Sequence, residues 1–156
     1  MMRLGLLVAF LAAAVDQAVK AWVVGWLMAP PTVIKALPVL DLVLIWNRGV
    51  SFGLFNRDSA YGRWILTAVA VVVIAVLLVW LRRGKSRFEA FALGLVIGGA
   101  VGNVIDRWVH GAVVDYLYFH WGAHYWPAFN LADAAITGGV ALLLYDALFR
   151  GRRSHI

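Results

Sequence analysis

The sequence predicts an all-α membrane protein with four transmembrane helices, both termini in the cytoplasm and a small periplasmic β-sheet. Of its 156 residues, 63% are hydrophobic and only 14% are charged, whereas soluble domains contain about 25% charged residues. The apolar residues also fall into four long runs. We therefore expect one integral membrane domain that covers residues 1–156.

Each apolar run is close to the roughly 20 residues that an α-helix needs to cross a bilayer. The four runs lie at 4–27, 64–81, 88–108 and 128–149. The first resembles a cleavable secretory signal, because Arg3 precedes it and Ala12 to Ala14 resemble a cleavage site. The hydrophobicity continues to Met28, beyond a typical signal core, which favours a retained anchor helix.

Basic residues flank these runs on one side of the membrane if the chain crosses it four times. They are Arg3, the cluster Arg82, Arg83, Lys85 and Arg87, and the tail residues Arg150, Arg152 and Arg153. The positive-inside rule places that side in the cytoplasm, so the segments 28–63 and 109–127 face outward. Five tryptophans then form an aromatic belt near the outer ends of the runs: Trp22, Trp26, Trp64, Trp108 and Trp126.

The net charge of +6 does not indicate a nucleic-acid partner, because the basic residues bracket apolar runs instead of forming an exposed basic stripe. The outer segment 28–63 is rich in β-branched and aromatic residues and is broken by Pro38, Gly49 and Gly53. This pattern predicts two or three short strands. The stretch 111–121 has a similar composition and is expected to pair with them on the outer membrane surface.

Ionisable residues inside transmembrane helices are costly and therefore indicate functional sites. Asp16 and Lys20 are spaced i,i+4, which permits an ion pair on one helix face. Asn103, Asp106 and Arg107 share a face of the third run. Small residues at 98–100 and Gly102 allow a neighbouring helix to approach that face.

The remaining polar residues are expected at the same outer level of the membrane. Asn130 and Asp133 begin the fourth run, Asp115 lies just beyond the third, and Asn47 marks a turn in the outer segment. Asn130 and Asp133 also fit a simple helix-capping pair. The chain has no cysteine, and no serine has a basic partner arranged to activate it. His120 and His124 have a metal-like spacing only if they lie on a helix, and we predict a strand that ends in a loop there.

The polar cluster is compatible with three hypotheses. Two carboxylates, Asp115 and Asp133, can act as an acid–base pair that activates water, as in an aspartic protease. A small proton-coupled transporter subunit would use intramembrane carboxylates as a proton relay. A structural subunit would use the same cluster only to join helices.

Five motifs together resemble those of the lipoprotein signal peptidase (signal peptidase II) family, in the family's order and over nearly the whole chain. They are VDQAVK (15–20), NRGVSFG (47–53), GGAVGNVIDR (98–107), GAVVDYL (111–117) and PAFNLAD (127–133). The resemblance implies a bacterial inner-membrane aspartic endopeptidase with its active site at the outer face. Such enzymes remove the signal peptide of prolipoproteins just before a diacylglyceryl-modified cysteine.

The same resemblance assigns roles to residues of this chain. Asp115 and Asp133 correspond to the family's catalytic pair. The supporting polar positions correspond to Asp16, Lys20, Asn47, Asn103, Asp106, Arg107 and Asn130. The resemblance further implies that the protein needs no metal or other cofactor, contacts membrane lipid and is inhibited by globomycin-like cyclic peptides. We expect a monomer.

Overall fold

Four long helices and a four-stranded antiparallel sheet make up the computed structural model, which describes residues 1–49, 60–84 and 86–150. Within the described residues, all four helices are long and apolar enough to cross a membrane. The helices are α1 (Met2–Trp22, continued by a π-helical segment Val23–Leu27), α2 (Ala60–Arg83), α3 (Arg87–Val109) and α4 (Leu131–Tyr145, continued by a π-helical segment Asp146–Arg150). This architecture confirms the predicted four membrane-spanning helices and the small antiparallel sheet.

Helix α3 lies at the centre of the bundle and packs against the other three helices. Its small residues allow close approach, as the sequence predicts. A Cβ added to Gly98 would lie 2.5 Å from the carbonyl oxygen of Ala9 on α1. A Cβ on Gly99 would collide with the carbonyl oxygen of Ala132 on α4. The polar C-terminal part of α3 is therefore pressed between α1 and the first turn of α4.

The sheet has the order β1-β2-β3-β4, with β1 at Ile34–Leu37, β2 at Leu40–Asn47, β3 at Val113–Trp121 and β4 at His124–Tyr125. β2 pairs antiparallel with β3, which confirms the predicted pairing of the two outer segments. Asn47 lies opposite Val113. Because cross-strand partners share a face, and residues two apart on a strand do also, this register puts Asn47 and Asp115 on the same face.

The sheet is attached to the helices by an apolar cluster. Val23 and Met28, at the end of the first span, pack with Val114 and Tyr116 of β3. Val113, Val114, Asp115 and Tyr116 are all buried, so the first half of β3 is covered on both faces. The helices thereby hold the start of β3 against the ends of α1, α3 and α4.

Helix α4 begins at Leu131, later than the predicted boundary at 128. The preceding residues are extended because Phe129 pairs with Leu117 of β3, and Asn130 caps the helix. Helix α2 is longer at both ends than the predicted run at 64–81. Residues 50–53 of the NRGVSFG motif, Lys85, Arg152 and Arg153 lie outside the described residues.

Candidate active site

The predicted polar residues meet where the C-terminal ends of α1 and α3, the first turn of α4 and the paired strands β2 and β3 come together. Asp16, Lys20, Asn103, Asp106, Asp115 and Asn130 are all buried there. Burial of so many polar groups is tolerated only when they bind one another. The contacts below account for each of them.

Asp115 accepts hydrogen bonds at both carboxylate oxygens. The Asn130 amide nitrogen lies 2.7 Å from its Oδ1, and the Asn47 amide nitrogen lies 2.8 Å from its Oδ2. The second loop residue after β2, Gly49, donates its backbone N–H to Asn47 Oδ1 over 2.8 Å, which orients that amide. Gly49 has a φ of +90°, a conformation that favours glycine. The side chain of Asp115 is therefore fixed from two directions.

Asp133 lies at the N-terminus of α4, in a capping box with Asn130. Asn130 Oδ1 accepts from the Asp133 backbone N–H over 2.9 Å, and Asp133 Oδ2 accepts from the Asn130 backbone N–H over 3.3 Å. The positive end of the helix dipole favours a charged carboxylate at this position. Asp133 is only partly buried, so it is more open to water than Asp115.

Asn103 connects Asp133 to the buried cation Lys20. Its amide nitrogen donates to Asp133 Oδ1 over 2.8 Å. Its carbonyl oxygen accepts from Lys20 Nζ over 3.2 Å and from the Asn130 amide over 3.3 Å. A cation on the carbonyl oxygen of an amide makes its N–H groups stronger donors. Lys20 thus strengthens the hydrogen bond that Asn103 donates to Asp133.

Lys20 forms two ion pairs in the protein interior. Its Nζ lies 2.8 Å from Asp16 Oδ2, as the i,i+4 spacing predicts, and 2.8 Å from Asp106 Oδ2. Asp16 also accepts from the Ala132 backbone N–H over 2.9 Å, and Asp106 accepts from the Val114 backbone N–H over 3.0 Å. The ion-paired cluster therefore connects α1 and α3 to both elements that carry the candidate pair.

Arg107 is less central than the other predicted residues. Its Nη1 donates to the backbone oxygen of Asn103 over 3.3 Å, and its side chain remains partly exposed. It therefore places a positive charge close to the Asn103 segment, at the border of the buried cluster.

Sequence analysis missed Gln17, whose amide nitrogen lies 2.8 Å from Asp106 Oδ1, 3.2 Å from the Gly102 carbonyl oxygen and 3.3 Å from Asp16 Oδ2. It also missed the hydroxyl of Tyr116, which accepts from the Leu131 backbone N–H over 3.3 Å. Burial raises the pKa of Tyr116 to about 12, so this hydroxyl stays neutral. The position of Gln17 beside Asp16 was the available signal, but its uncharged side chain did not mark it as costly in the membrane.

The surroundings of Asp115 make it easier to protonate than an ordinary aspartate. Its pKa is raised to about 6, chiefly because burial disfavours the charged carboxylate and also because the nearby charge of Asp133 repels it. The hydrogen bonds from Asn47 and Asn130 oppose this rise. Two carboxylates in different settings, one easily protonated and the other at a helix N-terminus, form an arrangement suited to acid–base chemistry.

His120 lies on β3, as predicted, whereas His124 lies on the short strand β4, where a loop was expected. His120 Nε2 lies 3.6 Å from Asp41 Oδ2. Over residues 1–49, 60–84 and 86–150, no group of three or more His, Cys, Asp or Glu side chains is placed to hold a metal ion.

Four apolar helices with a buried carboxylate and amide cluster at one end define a multi-pass membrane protein whose polar site resembles that of an acid–base enzyme. The family model for signal peptidase (SPase) II matches residues 8–149. The chain belongs to the signal peptidase II family, which confirms the resemblance seen in its five motifs.

Similar proteins cover nearly the whole chain. The lipoprotein signal peptidase of Methylorubrum extorquens strain PA1 is 46% identical over 94% of this chain and 86% of that protein. That of Beijerinckia indica is 48% identical over 92% of this chain and 87% of that protein. A bacterial membrane enzyme solved by the in meso method shares the fold with a TM-score of 0.75 at 25% identity, over 92% of this chain and 89% of that one.

Proposed function

We propose that this chain is an aspartic endopeptidase that removes the signal peptide from prolipoproteins, with Asp115 and Asp133 as its catalytic pair. Membership of the signal peptidase II family supports the peptidase activity and the substrate class. One observation of the site carries the aspartic assignment. Asn130 binds both carboxylates, Asp115 through its side-chain amide and Asp133 through its backbone N–H.

The two carboxyl groups divide the proton transfers between them. Asp133, as the general base, accepts a proton from a water molecule, which attacks the scissile carbonyl carbon. Asp115, in its protonated form, donates to the carbonyl oxygen as the tetrahedral intermediate forms. Asp133 then gives the proton taken from water to the leaving amine, while Asp115 takes a proton back from a hydroxyl of the intermediate; the C–N bond breaks and both carboxyl groups return to their starting states.

The other polar residues hold this pair in place. Asn47 and Asn130 orient Asp115, and Asn103 orients Asp133. Lys20, Asp16, Asp106 and Gln17 fix the helices behind them, and Arg107 contributes positive charge at the border. Such support matters because a site that is loose by about 1 Å loses much of its activity.

The substrate explains why the site lies at one end of the bundle. A lipidated signal helix spans the bilayer, so its scissile bond lies near the membrane surface. We place this surface at the outer face of the bacterial inner membrane, with both termini in the cytoplasm. The acyl chains can then remain in lipid while the peptide reaches Asp115 and Asp133.

The proposal includes three further properties. The enzyme acts as a monomer without a cofactor, and globomycin-like cyclic peptides bind at the same site as the substrate. The family assignment gives no support to the alternative of a proton-coupled transporter subunit.

Cleavage of a synthetic lipidated prolipoprotein peptide by the purified protein in detergent tests this function. The Asp115→Asn and Asp133→Asn variants should each lose cleavage by several orders of magnitude. Asp146→Asn is the matched control, because Asp146 lies at the opposite end of the fourth helix, and it should retain wild-type turnover. Retained cleavage in either of the first two variants would reject the pair.

A further inference from the structure

The segment 116–129 forms an aromatic hairpin that the proposed chemistry does not use. It contains seven aromatic residues and no Asp, Glu, Lys or Arg: Tyr116, Tyr118, Phe119, Trp121, Tyr125, Trp126 and Phe129. Three of them are exposed far beyond what a soluble surface normally shows, with Trp121 at 82%, Trp126 at 70% and Tyr125 at 58% of full exposure.

Five of these aromatic residues line an open groove of about 490 Å³: Phe119, Trp121, Tyr125, Trp126 and Phe129. Its walls also include His120, His124 and Val39. Tryptophan, tyrosine and histidine combine an apolar ring with a polar atom, a combination that suits the boundary between lipid and water. The composition of the groove is thus that of an interfacial surface.

Internal contacts fix the shape of the hairpin. The Trp126 backbone N–H donates to the Phe119 carbonyl over 2.9 Å. The rings of Phe119 and Phe129 stack with centroids 5.7 Å apart, and those of Tyr118 and Tyr125 stack at 5.3 Å. The exposed aromatic rings are therefore carried by a structured element.

The hairpin is continuous with the membrane-spanning part of the protein. Phe129 bridges Leu117 of β3 and directly precedes Asn130, the cap of the fourth helix. One wall of the groove therefore lies where that helix enters the bilayer. Trp26, which is 83% exposed, lies at the same end of the first span.

Except for the buried Asp115, the charged residues of the sheet lie on β1 and β2. Lys35 of β1 is exposed, and Asp41 lies on β2. Apart from Asp115 in its buried first half, the β3–β4 part of the sheet is aromatic and carries no Asp, Glu, Lys or Arg, whereas the β1–β2 part carries Lys35 and Asp41. This division is expected when only the second part contacts lipid.

We propose that the aromatic hairpin inserts into the headgroup region of the bilayer and that its groove binds phospholipid of the surrounding membrane. Trp121, Tyr125 and Trp126 are the anchoring residues. The hairpin thereby sets the height of β3, and with it Asp115, relative to the membrane surface.

Site-directed spin labelling tests this proposal, and the absence of cysteine allows single labels in an otherwise native chain. The test label is placed at Ala123→Cys, in the exposed hairpin turn. Lys35→Cys serves as the water reference, and Val72→Cys, on the exposed face of α2, serves as the lipid reference. The proteins are reconstituted in vesicles of phosphatidylethanolamine and phosphatidylglycerol.

Collisions of each label with oxygen, which partitions into lipid, are compared with collisions with a water-soluble nickel chelate. The label at 123 should show an oxygen-to-nickel ratio several-fold above that at 35 and closer to that at 72. A ratio equal to that at 35 would place the hairpin in water and overturn the proposal. Shielding from both reagents would indicate a protein partner or a second copy, and would overturn it too.

A second measurement avoids the label. Wild-type protein and a Trp121→Phe, Trp126→Phe double variant are compared in vesicles whose lipids are brominated near the headgroup. Bromine quenches nearby tryptophan. The amount of tryptophan emission lost in brominated vesicles, relative to unbrominated ones at equal protein concentration, should therefore be smaller in the variant. An equal loss of emission in the two proteins would contradict lipid contact. Equal cleavage of the peptide by both proteins in detergent is the control that the variant is folded.

Discussion

Asn130 shows how one side chain serves both structure and chemistry. Its carbonyl oxygen caps the fourth helix and its amide nitrogen binds Asp115. The capping interpretation of Asn130 and Asp133 and the functional one are therefore both compatible with the structure. A helix that starts at a fixed residue also fixes the position of the carboxylate in its first turn.

Asn47 should control the pH dependence of the enzyme through Asp115. If Asp115 is the general acid, kcat/KM falls as the pH rises through its pKa, which is about 6. The Asn47 hydrogen bond stabilises the ionised carboxylate, so its removal in Asn47→Ala raises this pKa. The alkaline side of the kcat/KM profile should therefore move to higher pH.

A shift of the alkaline side to lower pH, or no shift in a variant that still cleaves, would contradict the role of Asp115 as the acid.

Lys20→Met should destabilise the protein strongly. The substitution leaves Asp16 and Asp106 buried without their cation, and breaking a buried ion pair from one side costs about 3–5 kcal/mol. The midpoint of unfolding in detergent should fall accordingly. Lys35→Met, on the exposed edge of the sheet, should leave the midpoint nearly unchanged, and equal effects of the two variants would contradict the role of Lys20.

The sequence predicted this group of residues because charges are rare in membrane helices and those of this chain fall at one depth. The i,i+4 spacing of Asp16 and Lys20 on a helix predicted their ion pair directly. It could not give the contact of Lys20 with Asp106 or of Asn103 with Asp133, since these depend on how two helices are rotated against each other. The contacts of Gln17 with Asp106 and with the Gly102 carbonyl could not be predicted for the same reason, because both residues lie on another helix.

At the scale of elements, the glycines of α3 determine how closely α1 and α4 approach α3. Gly99→Ala should push α4 away, because the new Cβ collides with the Ala132 carbonyl. Overpacking of this kind costs about 1–3 kcal/mol, and it moves Asp133 relative to Asp115. We expect a lower unfolding midpoint and reduced kcat.

Gly138→Ala is the matched control on α4, since a Cβ at Gly138 meets no atom within 4 Å. Replacing a helical glycine at an open position stabilises by about 0.4–1 kcal/mol. A Gly99→Ala variant as stable and active as Gly138→Ala would show that the α3–α4 contact does not position the site.

Element boundaries were less predictable than element types. The hydrophobic run suggested that the fourth helix starts at 128, but Phe129 is taken by pairing with β3. Hydropathy cannot distinguish an apolar residue in a strand from one in a helix. The strands themselves were predicted because β-branched and aromatic residues alternate with turn residues in both outer segments.

At the scale of the whole molecule, the basic residues near the helix ends predict the orientation in the membrane by the positive-inside rule. Thr32→Cys, between the first span and β1, should react from outside with a membrane-impermeant maleimide in intact cells. Gly84→Cys, between α2 and α3, should react only after the membrane is opened. The reverse pattern would contradict the orientation with both termini in the cytoplasm.

The central claim is that Asp115 and Asp133 act together on one peptide bond of the substrate. The most direct test is a structure with a lipidated peptide whose scissile bond is replaced by a hydroxyl-bearing analogue of the tetrahedral intermediate. The hydroxyl should lie within hydrogen-bonding distance of both carboxylates. A well-ordered analogue whose hydroxyl contacts neither carboxylate, or only one, would contradict the catalytic pair.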